Sequence, residues 1–507
     1  MLTMDKQNEL LSELLLTQVN VTRQQVSKAT EKATKSNLGQ FFTEPRIALF
    51  MSNMFDIYEP HLKLLDPGAG IGILTTATIT QICKHEKKPL SIHVTAVEID
   101  ETLLEHLQNS LELCKELCRK NNIMFEYSII NEDFINYGST LLSANSRGMY
   151  NKVILNPPYK KISSKSETRI ALRRIGIETT NFYSAFVAIS KKLLLPNGEL
   201  VAITPRSFCN GTYFKPFRVD FLTDMRFRKI HLFNSRTDSF KDDDVLQENI
   251  IYHAVKNLEP RNVIISTSEN INEEPTTHKL EYNELIHPDD EDKFIRILRD
   301  EADLRVKLRM EGITTTLADL GLKVSTGRVV DFRTIENLRD VPDDNTVPLI
   351  YPIHFQNGFL QWPIIPKDKP NAMLLNEETV KQLVPRGNYV LVKRFSPKEE
   401  TRRIVTAIYN ETQIDSDYVG FENHLNYFHM NGQGIPIDLA KGLAIYLSSS
   451  LVDSFFRQFN GHTQVNVGDL KSLPYPPYDV LINLGSIFGD CFPEQQEIDN
   501  IVSDSLE

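Results

Sequence analysis

From Leu62 to Val201 short apolar runs alternate with longer amphipathic stretches, and this alternation narrows the fold more than any other feature of the 507-residue chain. LKLLDPGAGIG reads as a strand entering a glycine loop, TATITQICKHE as a helix, and HVTAVEID as a strand. ETLLEHLQNSLELCKELCRKN follows as a long helix with apolar residues three and four apart. FEYSIINEDF, KVILNPPY and GELVAITPRSF are further strands, with NFYSAFVAISKKLLL a helix between the last two. Strands separated by helices of this length call for a mostly parallel sheet with right-handed crossovers, covered on both faces. The pattern fades after Val255, where Asn, Asp, Glu and Pro become frequent. We therefore expect a helical segment over residues 1–37, an α/β domain over 38–260, and a mixed α+β domain over 261–507. Leu10, Leu11, Leu14 and Leu15 give the first segment an apolar stripe that needs a partner surface.

Composition sets outer bounds. An apolar fraction of 41% and a charged fraction of 24% are ordinary for a soluble globular chain. No apolar run approaches the roughly 18 residues of a membrane span, and no secretory leader is evident, so a cytoplasmic protein is expected. Five cysteines make no disulfide framework, and no metal site is expected. A net charge of −11 weakens the case for a nucleic-acid partner without removing it, because a basic groove can sit on an acidic protein.

Chemistry-bearing residues gather at the strand ends. Asp66-Pro-Gly-Ala-Gly-Ile-Gly72 follows the first strand, and Gly68, Gly70 and Gly72 allow a sharp turn and a close ligand approach at a helix start. Glu98 ends the second strand, where an acid can accept both hydroxyls of a ribose. Asp133 follows the third, where it can accept a hydrogen bond from an exocyclic amine, with Phe134 beside it as a flat apolar wall. Each acid alone is an ordinary solvated strand end; three on consecutive strands favour a nucleoside-bearing cofactor. Asn156-Pro-Pro-Tyr159 ends the fourth strand on the same rim. Proline holds this backbone extended, so the Asn156 side-chain oxygen and the Pro157 carbonyl can act as paired acceptors beside the Tyr159 ring. They suit a planar molecule with an amino group, either a base edge or a side-chain amide, and methyl transfer from a sulfonium matches that geometry.

The order FFTEP, DPGAG, VEID, NEDF, NPPY resembles the S-adenosylmethionine-dependent N6-adenine DNA methyltransferases in which a target-recognition domain follows the cofactor motifs. KVSTGRVVDFR, LVKRFSPKEETRR, GFENHLNYFH and FNGHTQVNVGDLKSLPYP extend the resemblance over nearly the whole chain, to enzymes of type II restriction-modification systems of the PstI/BsuBI type. The resemblance implies a Rossmann-like catalytic domain over 38–260 and a target-recognition domain over 261–507. Thr43 would close over the methionine end of the cofactor, Asp66, Gly68 and Gly70 would contact its amino-acid portion, Glu98 its ribose, and Asp133 with Phe134 its adenine. Asn156, Pro157 and Tyr159 would hold the target base. SFKDDDVLQENIIYHAVK makes Phe240 the candidate for a second stacking aromatic, with Phe208 and Phe214 as rivals. Double-stranded DNA, a palindromic CTGCAG site, a separate companion endonuclease and a monomeric working unit are further implications.

In the last 240-odd residues Lys393, Arg394, Lys398, Arg402 and Arg403 cluster around Phe395, with Arg328, Arg333 and Arg457 dispersed beside polar loops. Such cations fix phosphates, and Asn423, His424, His462 and Gln464 offer groups for base edges. A solvated surface and structural turns use the same residue types. Rival functions are methylation of an RNA base or a protein glutamine, a metal nuclease using the acids of HPDDEDKF, and a DNA-binding module without activity. Crowding of those acids into one short turn argues against the nuclease.

Overall fold

All the runs read as strands between Leu62 and Val201 enter one sheet. In the computed structural model, residues 4–29, 42–56, 59–233, 249–259, 261–364, 369–396, 400–460, 463–489 and 491–506 are described. The strands are β1 (His61–Pro67), β2 (Ser91–Val97), β3 (Met124–Ile130), β4 (Tyr150–Leu155), β5 (Leu194–Pro205), β6 (Met225–Phe233), β7 (Asn249–Lys256), β8 (Val263–Ser268) and β9 (Thr276–Leu280). Their order is β3-β2-β1-β4-β5-β7-β6-β8-β9. The first five are parallel, and β7 runs antiparallel between β5 and β6. The order reverses between β1 and β4, where Leu65 pairs with Val153. In open parallel sheets, ligands bind outside the carboxyl ends at such a reversal.

Strand alternation divides the core between the two faces. Leu64, Ile154, Val201 and Ile203 point to one face. There they meet α1 (Met4–Ala29), α2 (Pro45–Ser52), α3 (Ile73–Lys84) and α4 (Leu104–Lys120). Leu65, Val153, Leu155 and Leu200 point to the other, against α5 (Phe134–Ser143) and α6 (Phe182–Leu193). Leu15 and Val19 seat α1 in the first of these cores, while Leu14 is exposed.

The boundary expected at 260/261 falls inside this sheet. β8 pairs with β6 from Lys229↔Ile264 onward, and the compact unit runs to Arg299, with a second from Asp300 to Glu507. The apolar signal fades because β9 is an edge strand whose side chains are mostly exposed, yet Leu285, Ile286, Ile295, Ile297 and Leu298 still enter the core. Polarity here marks the rim of a sheet, not the end of a domain.

The second unit is mixed α+β. An antiparallel sheet takes Lys323–Thr326, Leu425–His429, Tyr389–Lys393 and Thr406–Tyr409 in that spatial order. A second sheet is built from five short strands and a third from two, and the longer helices are Glu301–Glu311, Ile437–Ser448, Ser450–Phe459, Tyr478–Ser486 and Gln495–Ser505. Among the described residues no helix is long and apolar enough to cross a membrane.

A buried charged cluster spans β4, β5 and β7 of the sheet. Lys152 on β4 is 1% exposed, with Nζ 2.8 Å from Glu59 Oε1 and 2.6 Å from Glu199 Oε1. His253 Nε2 lies 2.9 Å from the other Glu199 oxygen, which also accepts from the Asp56 backbone. Burial works to raise the Glu199 carboxyl, but His253 and Lys152 outweigh it and hold the group below its usual range. Lys152→Ala removes one partner of a buried pair and is expected to cost about 3–5 kcal/mol in urea unfolding. Lys152→Met with Glu199→Gln should recover part of that loss.

Candidate active site

Three left-handed glycines shape the loop after β1. Gly68, Gly70 and Gly72 have φ of +74°, +56° and +83°. Gly72 caps α3, and a Cβ there would sit 2.9 Å from Leu107 Cδ1 on α4. Only glycine satisfies both the backbone and the space. The Gly68 and Ala69 amides donate to the Val97 carbonyl at 2.8 and 3.0 Å, tying the loop to the end of β2.

Two buried carboxylates support this loop. Glu98 accepts from Gly70 N through Oε2 at 2.7 Å and from Asp100 N through Oε1 at 2.8 Å. Burial raises its carboxyl despite those two donors. Asp66 is fully buried; its Oδ2 accepts from the Thr75 hydroxyl at 2.6 Å, and its Oδ1 has no hydrogen-bond partner among the described residues. Burial pushes Asp66 up to about 7, with Thr75 opposing and the Glu98 charge adding to the rise.

A cleft of about 730 Å³, counted with its open mouth, runs along the loop. Thr43, Gly68, Gly70, Glu98 and Asn156 line it, as expected from sequence. A second recess of about 650 Å³ is lined by Asp133 and Phe134 and shares Gly68, Ile99, Pro158 and Phe186 with the first. Asp133 also caps α5 by accepting from Asn136 N at 3.1 Å, and Phe134 packs on Phe186 at 4.9 Å. Asp66 lines neither cavity and instead props the loop from beneath. Phe42, the neighbour of Thr43 in FFTEP, lines the cleft as well, together with Ile99 and Phe186, which the sequence does not single out. Ile99 is half exposed directly after Glu98, a signal that was available; Phe186, in an apolar helix, reads only as core.

The residues expected to grip a planar amine lie together at the end of β4. Asn156 Nδ2 donates to Thr43 Oγ1 at 3.0 Å, and the Tyr159 hydroxyl donates to Asn156 Oδ1 at 3.2 Å. That hydroxyl also lies 3.4 Å from the Ile203 carbonyl, and burial raises its phenol well above the usual range. Pro157 is buried, and the Tyr159 ring meets Tyr183 edge-on at 6.3 Å. Phe208, 1% exposed, packs on Phe217 and Tyr252, and Phe214 is buried against Tyr183, so both rivals to Phe240 are core residues. Phe240 itself lies outside the described residues, as does His462.

This arrangement fits a nucleoside cofactor on its own terms. The glycine loop presents bare backbone to the cleft at Gly68 and Gly70, Glu98 offers a carboxylate at the cleft wall, and Ile99, Phe134 and Phe186 supply apolar faces. Two of the four acids of HPDDEDKF are engaged otherwise. Asp290 accepts from Phe294 N and Arg296, and Asp292 pairs with Lys215 at 2.9 Å.

In the second unit, backbone hydrogen bonds stitch four segments side by side. Gly327 N donates to Leu425 O, Asn423 N to Val329 O, Arg394 N to His424 O, and Val465 N to Arg394 O, all at 2.8–2.9 Å. Together the segments carry Arg328, Asn423, Arg394 and Gln464, with Arg333 just beyond on an exposed turn. Lys393 leans over Phe355 at 5.9 Å, and Phe395 stacks on His424 at 4.9 Å. Arg402 and Arg403 do not share that surface. Arg403 is 2% exposed, over the Phe456 ring with its backbone N–H on Asp453; half-buried Arg402 donates to Ser450. Their RR doublet packs on helix Ser450–Phe459, so it is structural in this fold.

Residues 22–240 match the family described as Eco57I restriction-modification methylase. Over 496 residues, 96% of this chain and 97% of the relative, the sequence is 44% identical to Type II methyltransferase M.PstI of Providencia stuartii. It is 43% identical to Type II methyltransferase M.BsuBI of Bacillus subtilis over 459 residues, 89% of this chain and 90% of that one. Among solved structures, the type IIL restriction-modification enzyme MmeI in complex with DNA has a similar fold. Its TM-score is 0.55 at 11% identity, covering 98% of this chain and 74% of that one.

Two measurements probe this geometry. Asp66 has a folded-state pKa above its unfolded value, so the folded state holds the proton more tightly and the Asp66 contribution to stability falls as pH rises from about 4 to 7. Asp66→Asn lacks that titration; its melting temperature relative to wild type should climb across this window and level off above it. Parallel curves would show that Asp66 is not so perturbed. Gly327→Ala would place a Cβ 2.2 Å from the Glu422 carbonyl oxygen. It should lower stability by about 1–3 kcal/mol in urea unfolding.

Proposed function

The chain belongs to the type II methyltransferases of restriction-modification systems, and on that premise we propose that it methylates N6 of an adenine in duplex DNA, using S-adenosylmethionine. The carrying observation is Asn156, set at the carboxyl end of β4 in the same cleft as Gly68, Gly70 and Glu98, with its carboxamide held at both ends. When bound, the cofactor supplies a methyl group on a sulfonium.

The remaining work falls to the chain. Glu98 accepts from ribose hydroxyls, Asp133 from the cofactor's exocyclic amine, and Ile99 with Phe134 covers its ring. The target adenine leaves the helix at an unstacking cost of a few kcal/mol and is recovered by stacking on Tyr159 and a second aromatic, for which Phe240 is the candidate. Asn156 Oδ1 and the Pro157 carbonyl take the two N–H bonds of the adenine amine. That grip turns the nitrogen lone pair out of conjugation with the ring and aims it into the cleft. Positioning and fixed dipoles carry the catalysis, with no covalent enzyme intermediate.

Arg328, Arg333, Lys393, Arg394, Asn423 and Gln464 contact phosphates and base edges of a palindromic site, CTGCAG. The chain acts as a monomer and protects that site from a separate companion endonuclease. Asn156→Ala should reduce methyl transfer by at least about 10²-fold while cofactor affinity stays near wild type; retained activity would remove Asn156 from this role. Labelled methyl groups should enter plasmid DNA and not cellular RNA or protein, and sequencing methylated bases from cells expressing this chain alone identifies the site.

A further inference from the structure

A carboxamide has two ends of nearly equal shape, one donating and one accepting. Asn156 grips an amine only when its oxygen faces the incoming nitrogen, so something must decide which end points where. Asn156 Nδ2 donates to Thr43 Oγ1 at 3.0 Å and its Oδ1 accepts from the Tyr159 hydroxyl, so with Thr43 accepting, the oxygen is the end turned toward the amine. The Tyr159 hydroxyl now on that oxygen has the Ile203 carbonyl 3.4 Å away as a second acceptor, so an arriving amine can displace it without stranding it.

Thr43 is well placed to hold this setting. It is 3% exposed and lies two residues before Pro45, which starts α2. Ile47, Ala48 and Met51 bury α2 in the core, and Ser52 bonds Thr78 of α3 at 3.1 Å. The same threonine walls the cleft that carries Gly68, Gly70 and Glu98. One side chain therefore touches both the cofactor space and the amide that holds the base.

We propose that Thr43 is a positioning residue: its hydroxyl oxygen fixes the orientation of Asn156, and its place in the cleft wall makes capture of the adenine amine depend on cofactor occupancy. This rests on the DNA adenine reading above. It adds to that reading a role for Thr43 toward Asn156, distinct from contact with the cofactor.

The test uses the full chain with Thr43→Val, which removes the acceptor at similar size, Thr43→Ala as a second way to remove it, and Thr43→Ser, which keeps the hydroxyl. Three quantities are measured: cofactor Kd by calorimetry, kcat on the wild-type site, and the affinity ratio between duplexes with adenine or amine-free purine at the target, with and without S-adenosylhomocysteine. For Val and Ala, kcat and the adenine-over-purine ratio should each fall by about tenfold, the worth of one hydrogen bond. Cofactor Kd should change by less than kcat and the adenine-over-purine ratio do, and Ser should retain both of those properties. In wild type the adenine preference should increase when S-adenosylhomocysteine is present. A loss confined to cofactor Kd, a Val variant as active as wild type, or an adenine preference indifferent to both substitution and cofactor overturns the proposal. A wild-type chain that methylates RNA or protein and not DNA overturns the adenine reading instead, and this proposal with it.

Discussion

The reversal of strand order between β1 and β4 is the constraint on which the cleft depends. A parallel strand must be reached by a crossover, and successive right-handed crossovers carry the chain from β1 out to β3 before it returns beside β1 as β4. The loops leaving β1 and β4 then diverge to opposite faces, and the gap between them cannot be filled by either helix layer. Gly68–Gly72 forms one lip and Asn156–Tyr159 the other. The two motifs lie more than eighty residues apart in sequence and come together through strand order alone.

Buried polarity is concentrated at that gap, with compensation matched to use. Each Glu98 oxygen takes one backbone donor, which holds the carboxylate in place at the cleft wall and leaves it further acceptor capacity. Asp66 is compensated on one oxygen only, by Thr75, and its raised pKa is the energetic trace of that imbalance. Lys152 shows the opposite solution: every charge near it has a partner, and the cluster reads as part of the scaffold. Tolerated strain thus lies beside the loop that must receive a ligand, while the sheet interior is settled.

Much of the first unit was legible because period-two and helical patterns are strong where both sheet faces are covered. The glycine loop, Glu98, Asp133 and Asn156 were found by their place at strand ends. Three kinds of information were not legible. The sheet's far edge was lost because exposed edge strands carry polar residues. Phe186 was lost because a cleft wall and a core position look alike in an apolar helix. Arg403 was misplaced because a charged doublet reads as surface until a helix packs over it. Each failure comes from tertiary burial overriding local composition, which no window of sequence contains.

The four stitched segments of the second unit have a consequence for how such a chain can change. They are joined through main-chain N–H and C=O groups, and at Gly327 through an approach so close that the Glu422 carbonyl occupies the space of a Cβ. Their mutual placement therefore asks little of the side chains at 328, which is exposed, and at 423 and 464, which are half-buried. A frame held by backbone lets its displayed residues be exchanged one at a time without refolding. Change in what this surface displays can thus proceed through folded intermediates.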